Sequence, residues 1–271
     1  MPSLTEHLFA GIVRACAVLV AAVPIVAAAA LLWTGVATAV AERAFPGGAD
    51  LAATAAFTLA VCACAAIGGG AFGIGCAVAA EELTPASIHR AIEAAIGFFG
   101  VLPAVAFGWF AASFIAPLAS HRPLGDATPF FAATILLAVM IAPTACTLMT
   151  RSLRRVPDAT RQAAAAAGAS RLQTTALVII PALRRRIIAT VLAAFTRAVG
   201  EATAVQVLFA SLASFGVLSP LTTASWLFST AAHAPAAASA GQLSFAALAL
   251  LAVSVAGGSI VARAYRGMQW A

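Results

Sequence analysis

The chain has 271 residues, 63% of them hydrophobic and only 9% charged, with a net charge of +6 at pH 7. A soluble domain carries about a quarter charged residues, so a water-soluble globule is excluded. The apolar residues instead come in runs of about twenty or more, enough to cross roughly 30 Å of hydrocarbon. All fifteen basic residues are arginines; without lysine there is neither a phosphate-binding P-loop nor a lysine Schiff base. The arginines cluster beside apolar runs, which fits membrane topology and protein docking rather than nucleic-acid binding.

The first apolar run covers residues 15–40. Ala39-Val40-Ala41 has the form of a signal-peptide cleavage site, but the run is far longer than the ~7–15 residues of a signal core, so a retained helix is expected. A turn at Pro46-Gly47-Gly48 leads to a second run over 51–79, in which Gly69 and Gly73 have the small-xxx-small spacing that lets helix backbones approach in lipid. Glu81, Glu82, Pro85, His89 and Arg90 read as a polar connection. The third run, 94–119, holds Gly100, Pro103, Gly108 and Pro117, a composition expected of a broken or close-packed helix. The fourth run is 130–150, the fifth 187–215 and the sixth 243–261. Residues 220–242, with His233, read as an interfacial or re-entrant segment on the other side. The five cysteines lie inside apolar runs and read as small buried hydrophobes, with no metal-binding or disulfide spacing.

These runs predict an all-α integral membrane protein: one domain over 1–271 with six transmembrane helices. Strand-length alternation is lacking, so a barrel is not expected. Twelve arginines (Arg14, Arg90, the eight from Arg151 to Arg186, Arg263, Arg266) fall in one set of loops, and only Arg43 and Arg122 in the other. That asymmetry places both termini and the 151–186 loop in the cytoplasm.

The 151–186 loop has internal order. Asp158 is expected to cap a helix after Pro157, alanines from 159 to 167 favour it, and Gly168 ends it. A second short helix over 170–180 is expected to stop at Pro181. Two short helices at the membrane surface make a knob rather than a tether; the plainer alternative is a basic loop that only fixes topology.

Gln162-Ala163-Ala164, Gly168, Val178, Ile180 and Pro181 resemble, at matching spacing, the E-A-A-x3-G-x9-I-x-L-P signature of ABC importer permeases. Gln stands for Glu, Val for Ile and Ile for Leu; the last two exchanges preserve apolar packing, and the first removes a charge. The run from Arg197 through Gly200, Glu201 and Thr203 to Val205 is similar to R-A-x-G-E-T-x-A-V of phosphate permease subunits. Residues 100–108 are similar to their G-I-P-S-V-V-Y-G-F stretch. The resemblance covers about residues 50–215 and implies a type I ABC importer permease fold, with the loop between spans four and five as the coupling-helix element docked on an ATPase. It further implies a non-enzymatic subunit with no cofactor of its own, ATP and Mg being held by two cytoplasmic ATPase subunits. A second permease subunit, forming a heterodimer, and an external phosphate-binding protein complete the implied bacterial inner-membrane complex.

Arg197 lies about ten residues, or roughly 15 Å, beyond the Arg184–Arg186 cluster, near mid-bilayer. A charge there costs about 2.5–3.5 kcal/mol on insertion scales. Glu201, one turn on, can pair with it. One reading is a structural ion pair. The other is a pathway in which Arg197 attracts an oxyanion through its planar donor fork, with Glu201 positioning it, Gly200 allowing close backbone approach and Thr203 offering a hydroxyl. A permease for another oxyanion or an organic solute, an ATP-independent secondary transporter or channel, and a scaffold that has lost transport remain alternatives.

Overall fold

The structure, a computed structural model, describes residues 48–121 and 128–214, with Ala22, Val26, Ala29, Ala30, Trp33, Ala252, residues 255–261 and Arg263, all of these last in helix. Most of the first expected span, most of the sixth and the 220–242 segment lie outside the described residues.

The described chain is helical, with no strand. Helix α1 (Gly48–Val78) runs on through a π-turn, Ala79–Leu83. Next come α2 (Ala86–Val101), α3 (Ala104–His121) and α4 (Thr128–Leu153). The knob follows with α5 (Asp158–Ala166), α6 (Arg171–Thr174), a second π-turn (Thr175–Ile179) and α7 (Ile180–Ala182). Helices α8 (Arg184–Gly200) and α9 (Ala202–Ser214) close the described body. By length and composition, α1 with its π-turn and α4 are each able to cross a membrane. The third run is broken as its composition suggested: α2 and α3 meet at Leu102-Pro103 with a bend of 98°, making a third span or a re-entrant loop. Pro103 supplies no N–H to continue the ladder and disfavours helical geometry at the residue before it.

Helix α1 packs along α4 more extensively than any other pair. In lipid, helices are not driven together by apolar burial, so close backbone approach matters more. Gly69 and Gly73 provide it: a Cβ on either would overlap the carbonyl oxygen of Ala138 or Ala142 in α4. At the far end of the body α3 packs on α9, where a Cβ on Gly108 would come 2.7 Å from the Ala204 carbonyl oxygen.

Two apolar clusters result. The larger joins α1, α3, α4, α8 and α9 around Val61, Leu137, Ile141, Val199, Leu208 and Phe209. The smaller lies where the knob meets the helices, with Ala77 of α1, Cys146, Met149 and Leu153 of α4, and Val156, Ile179 and Leu183 of the connection. Outward faces are apolar too, with Phe72, Trp109, Phe110 and Ile135 exposed; on a membrane-embedded body these sit against lipid or partner helices.

Several expectations are corrected. The polar connection of Glu81, Glu82, Pro85, His89 and Arg90 is largely helical: the glutamates sit in the π-turn, Pro85 is the N-cap of α2, and His89 and Arg90 lie in α2. The fifth run is not one helix, because Glu201 leaves helical geometry (φ −94°, ψ 70°) and divides α8 from α9. Cys62 and Cys146 are buried, but Cys64 is exposed, since residues two apart on a helix face different ways; Cys16 lies outside the described residues.

Candidate functional site

The knob takes its shape from local rules. Pro157, not Asp158, is the N-cap of α5, and no side chain caps it. Proline's fixed φ suits a helix start; Asp158 is the first helical residue and accepts a bond from Arg161 Nη1 at 3.3 Å. Gly168 ends α5 with φ +83°, while its N–H reaches Ala165 O (2.9 Å) and that of Ala169 reaches Ala164 O (3.0 Å), a Schellman closure. Two residues later Ser170 and Gln173 form a reciprocal capping box for α6. Pro181 does not stop the second helical stretch, which continues through Ala182 and turns at Leu183. The preceding π-turn already lacks the regular ladder that a proline would break.

The resemblance residues divide by face. Gln162, Ala163, Gly168, Val178 and Pro181 are exposed, whereas Ala164 and Ile180 are half-buried. The residue anchored inside is Ile179, at 1% exposure. Apolar packing at Val178, expected from the sequence, is thus carried by its neighbour. Leu172 and Leu177 are 63% and 74% exposed on the same knob.

A set of ionic contacts that the sequence reading did not find fastens the knob to α1. Arg161 grips Glu82 in bidentate fashion, with Nη2 donating to Oε1 at 2.8 Å and Nε to Oε2 at 3.3 Å. It also donates to the carbonyls of Val156 (2.8 Å) and Leu153 (3.1 Å). Arg154 donates to Glu81 Oε1 at 2.9 Å and to Glu93 of α2. His89 Nδ1 lies 3.0 Å from the Ala80 carbonyl and so carries the proton; its Nε2 then accepts from Arg154 Nη2 at 3.3 Å. Glu81, His89 and Glu93 converge closely enough to suggest a metal site, but the Arg154 guanidinium already engages Glu81 Oε1, Glu93 Oε1 and His89 Nε2. Hydrogen bonds to Glu81 and Glu93 raise Arg154, and the bond to Glu82 raises Arg161, above the ordinary arginine value. A raised cation contributes its full stability below its ordinary value and loses it only as pH rises through the folded one, so neither arginine loses its charge near neutral pH. The signal in the sequence was Glu81-Glu82 at the end of one span facing an arginine-bearing loop, but partner choice across 73 and 79 residues is a tertiary matter.

The second candidate place is the break between α8 and α9. Arg197 Nη2 and Glu201 Oε1 are 3.2 Å apart, with side chains 42% and 17% exposed. The pair expected from i, i+4 spacing therefore forms, although the helix ends between its members. A Cβ on Gly200 would meet nothing within 4 Å among the described residues. Thr203 lies in the first turn of α9. The break starts a second helix N-terminus, that of α9, immediately after Glu201. Arg184 and Arg185 are exposed, whereas Arg186 is buried. An open apolar groove of about 500 Å³, lined by Ile67, Ile74, Leu83, Ile180 and Ile187, lies between α1 and α8 and includes neither member of the pair. The two stretches that carry the phosphate-permease resemblance pack against each other at Gly108 and Ala204.

No protein family model matches the chain. It is 30% identical over 135 residues to the probable ABC transporter permease protein YqgH of Bacillus subtilis, covering 49% of this chain and 44% of that protein. It is 26% identical over 162 residues to the phosphate transport system permease protein PstC of Mycobacterium leprae, covering 53% and 51%. It is also 31% identical over 122 residues to the probable phosphate transport system permease protein PstC of Methanocaldococcus jannaschii, covering 39% and 38%. The chain spans about half or less of the length of these curated relatives. Over that part it is similar to ABC transporter permeases, two of the three named for phosphate transport.

Proposed function

We propose that the chain is the membrane-spanning permease subunit of an ATP-driven importer that carries inorganic phosphate across a bacterial inner membrane. The observation that carries this reading is the knob. It has a packed inner face and an outer face on which Leu172, Leu177 and Val178 are exposed beside polar groups, the form of a docking surface. In this reading the outer face sits on one of two cytoplasmic ATPase subunits that bind ATP and Mg, and Gln162 meets it without the charge of the family glutamate. A second, different permease subunit and an external phosphate-binding protein complete the complex. Six spans with both termini cytoplasmic follow from the arginine distribution. The chain itself performs no covalent chemistry.

Arg197 supports the choice of an oxyanion. Its fork matches a tetrahedral anion, and a helix N-terminus at the same break adds favourable dipoles. Glu201 keeps the guanidinium neutralised until an anion replaces it. The fork recognises oxygen geometry rather than phosphorus, so sulfate is the second substrate reading.

The test is purification of the chain from its own membranes, followed by reconstitution with the proteins that accompany it. An ATPase is expected to copurify, and radiolabelled phosphate should enter vesicles only when ATP and the external binding protein are supplied. ATP-independent uptake without any copurifying ATPase would move the chain to the secondary transporters or channels.

A further inference from the structure

We infer that Glu81 and Glu82, at the inner end of α1, form the clasp through which movement of the knob enters the membrane helices. This rests on the ATPase-docking reading above. Two carboxylates at the C-terminal end of a long helix are poorly placed for its own stability, because the helix dipole is negative there. Alanine or lysine would suit that turn better, so the pair answers to something outside the helix.

What it answers to is the knob, from both sides. Arg154 at the knob's entrance holds Glu81, and Arg161 within α5 holds Glu82. The Arg154 arm is half exposed and contributes little by itself, because solvent screens such a pair. The Arg161 arm is different. Glu82 is 9% exposed, the contact is bidentate, and the same guanidinium ties the carbonyls of Leu153 and Val156. One side chain thereby fixes the end of α4, the start of the knob and the end of α1 to one another.

The backbone under the clasp is suited to transmit a displacement. Both glutamates sit in the Ala79–Leu83 π-turn, and α6 packs against that turn. A π-turn is a place where a helix can change its ladder by one residue. Beyond it α1 is rigidly seated, with Gly69 and Gly73 on the α4 backbone and Gly70 against Val191 of α8, the helix that bears Arg197. A pull on Glu81 and Glu82 therefore acts on a packed unit rather than on a loose end.

The complete complex is reconstituted with wild-type chain, with Glu81→Gln/Glu82→Gln, and with Glu81→Asp/Glu82→Asp. Gln keeps size and hydrogen-bonding oxygen but removes charge; Asp keeps charge at shorter reach. Three quantities are read: copurifying ATPase, ATP hydrolysed, and phosphate transported per ATP. The Gln variant is expected to retain the ATPase and its hydrolysis while transport per ATP falls about tenfold, a size typical of broken pairwise coupling. The Asp variant should recover to within about threefold of wild type, as partial pairing allows. An assembled Gln variant with a wild-type ratio overturns the clasp. If the double Gln variant does not assemble, Glu82→Gln alone gives the same readout, with the same overturning result. Lack of a copurifying ATPase with the wild-type chain would instead overturn the docking reading, so the two failures are told apart.

Discussion

Arg197 and Glu201 are legible as residue types and as a spacing, and the structure brings them within 3.2 Å. Sequence reasoning could not foresee that the helix ends at the second of them, because i, i+4 spacing presumes an unbroken turn. The break alters the chemistry available there, since a new helix N-terminus begins immediately after the glutamate. Replacing Arg197 with Ala should lower phosphate uptake by about 10- to 100-fold, the worth of one strong charge-assisted hydrogen bond, while the chain still assembles. Arg197→Lys keeps the charge but loses the fork and should fall between the two. Uptake by reconstituted vesicles reads both, and wild-type transport by a well-assembled Arg197→Ala chain would remove the residue from the pathway.

At the scale of elements, helix pairing rests on small residues rather than on apolar periodicity. Gly69 and Gly73 were expected to face a neighbour, and they do, but only the structure names it as α4. Gly73→Leu puts a branched side chain against the Ala142 carbonyl and the Ala145 methyl. Overpacking of this kind costs about 1–3 kcal/mol, and here backbone must move rather than a side-chain tip. Thermal unfolding of the detergent-solubilised chain should shift to lower temperature, whereas Gly75→Leu, with nothing within 4 Å among the described residues, should shift it far less. The knob shows the same division. Its turns were readable from Gly168 and Ser170, since positive φ and capping are local demands. Its second helix was misjudged at Pro181, where an earlier π-turn had already changed the ladder.

For the whole molecule, the arginine asymmetry makes a prediction independent of substrate. In a background without native cysteines, Ala165→Cys on the exposed side of α5 should react with a membrane-impermeant maleimide only after the inner face is opened. Labelling from outside intact cells would invert the topology and with it the docking reading. The same scale explains why Glu81, Glu82, Arg154 and Arg161 escaped notice as a group. Each is ordinary by itself at a membrane boundary, and only the folding of α1 beside α4 brings the π-turn under the knob.

The sequence alone determined the solvent. Too few charges to cover a soluble surface, and apolar runs as long as a bilayer is thick, leave membrane helices as the outcome. It also determined the glycine turn that divides the knob into two short helices, because such turns act over a few residues. The tertiary structure decided what depends on meeting at a distance: the 98° bend between α2 and α3, the break at Glu201, and the pairing of α1's terminal carboxylates with the knob. Local rules say where a helix is able to start or stop. Which of those places bends, and which charge finds which, is settled by the close packing of helices whose surfaces are almost uniformly apolar.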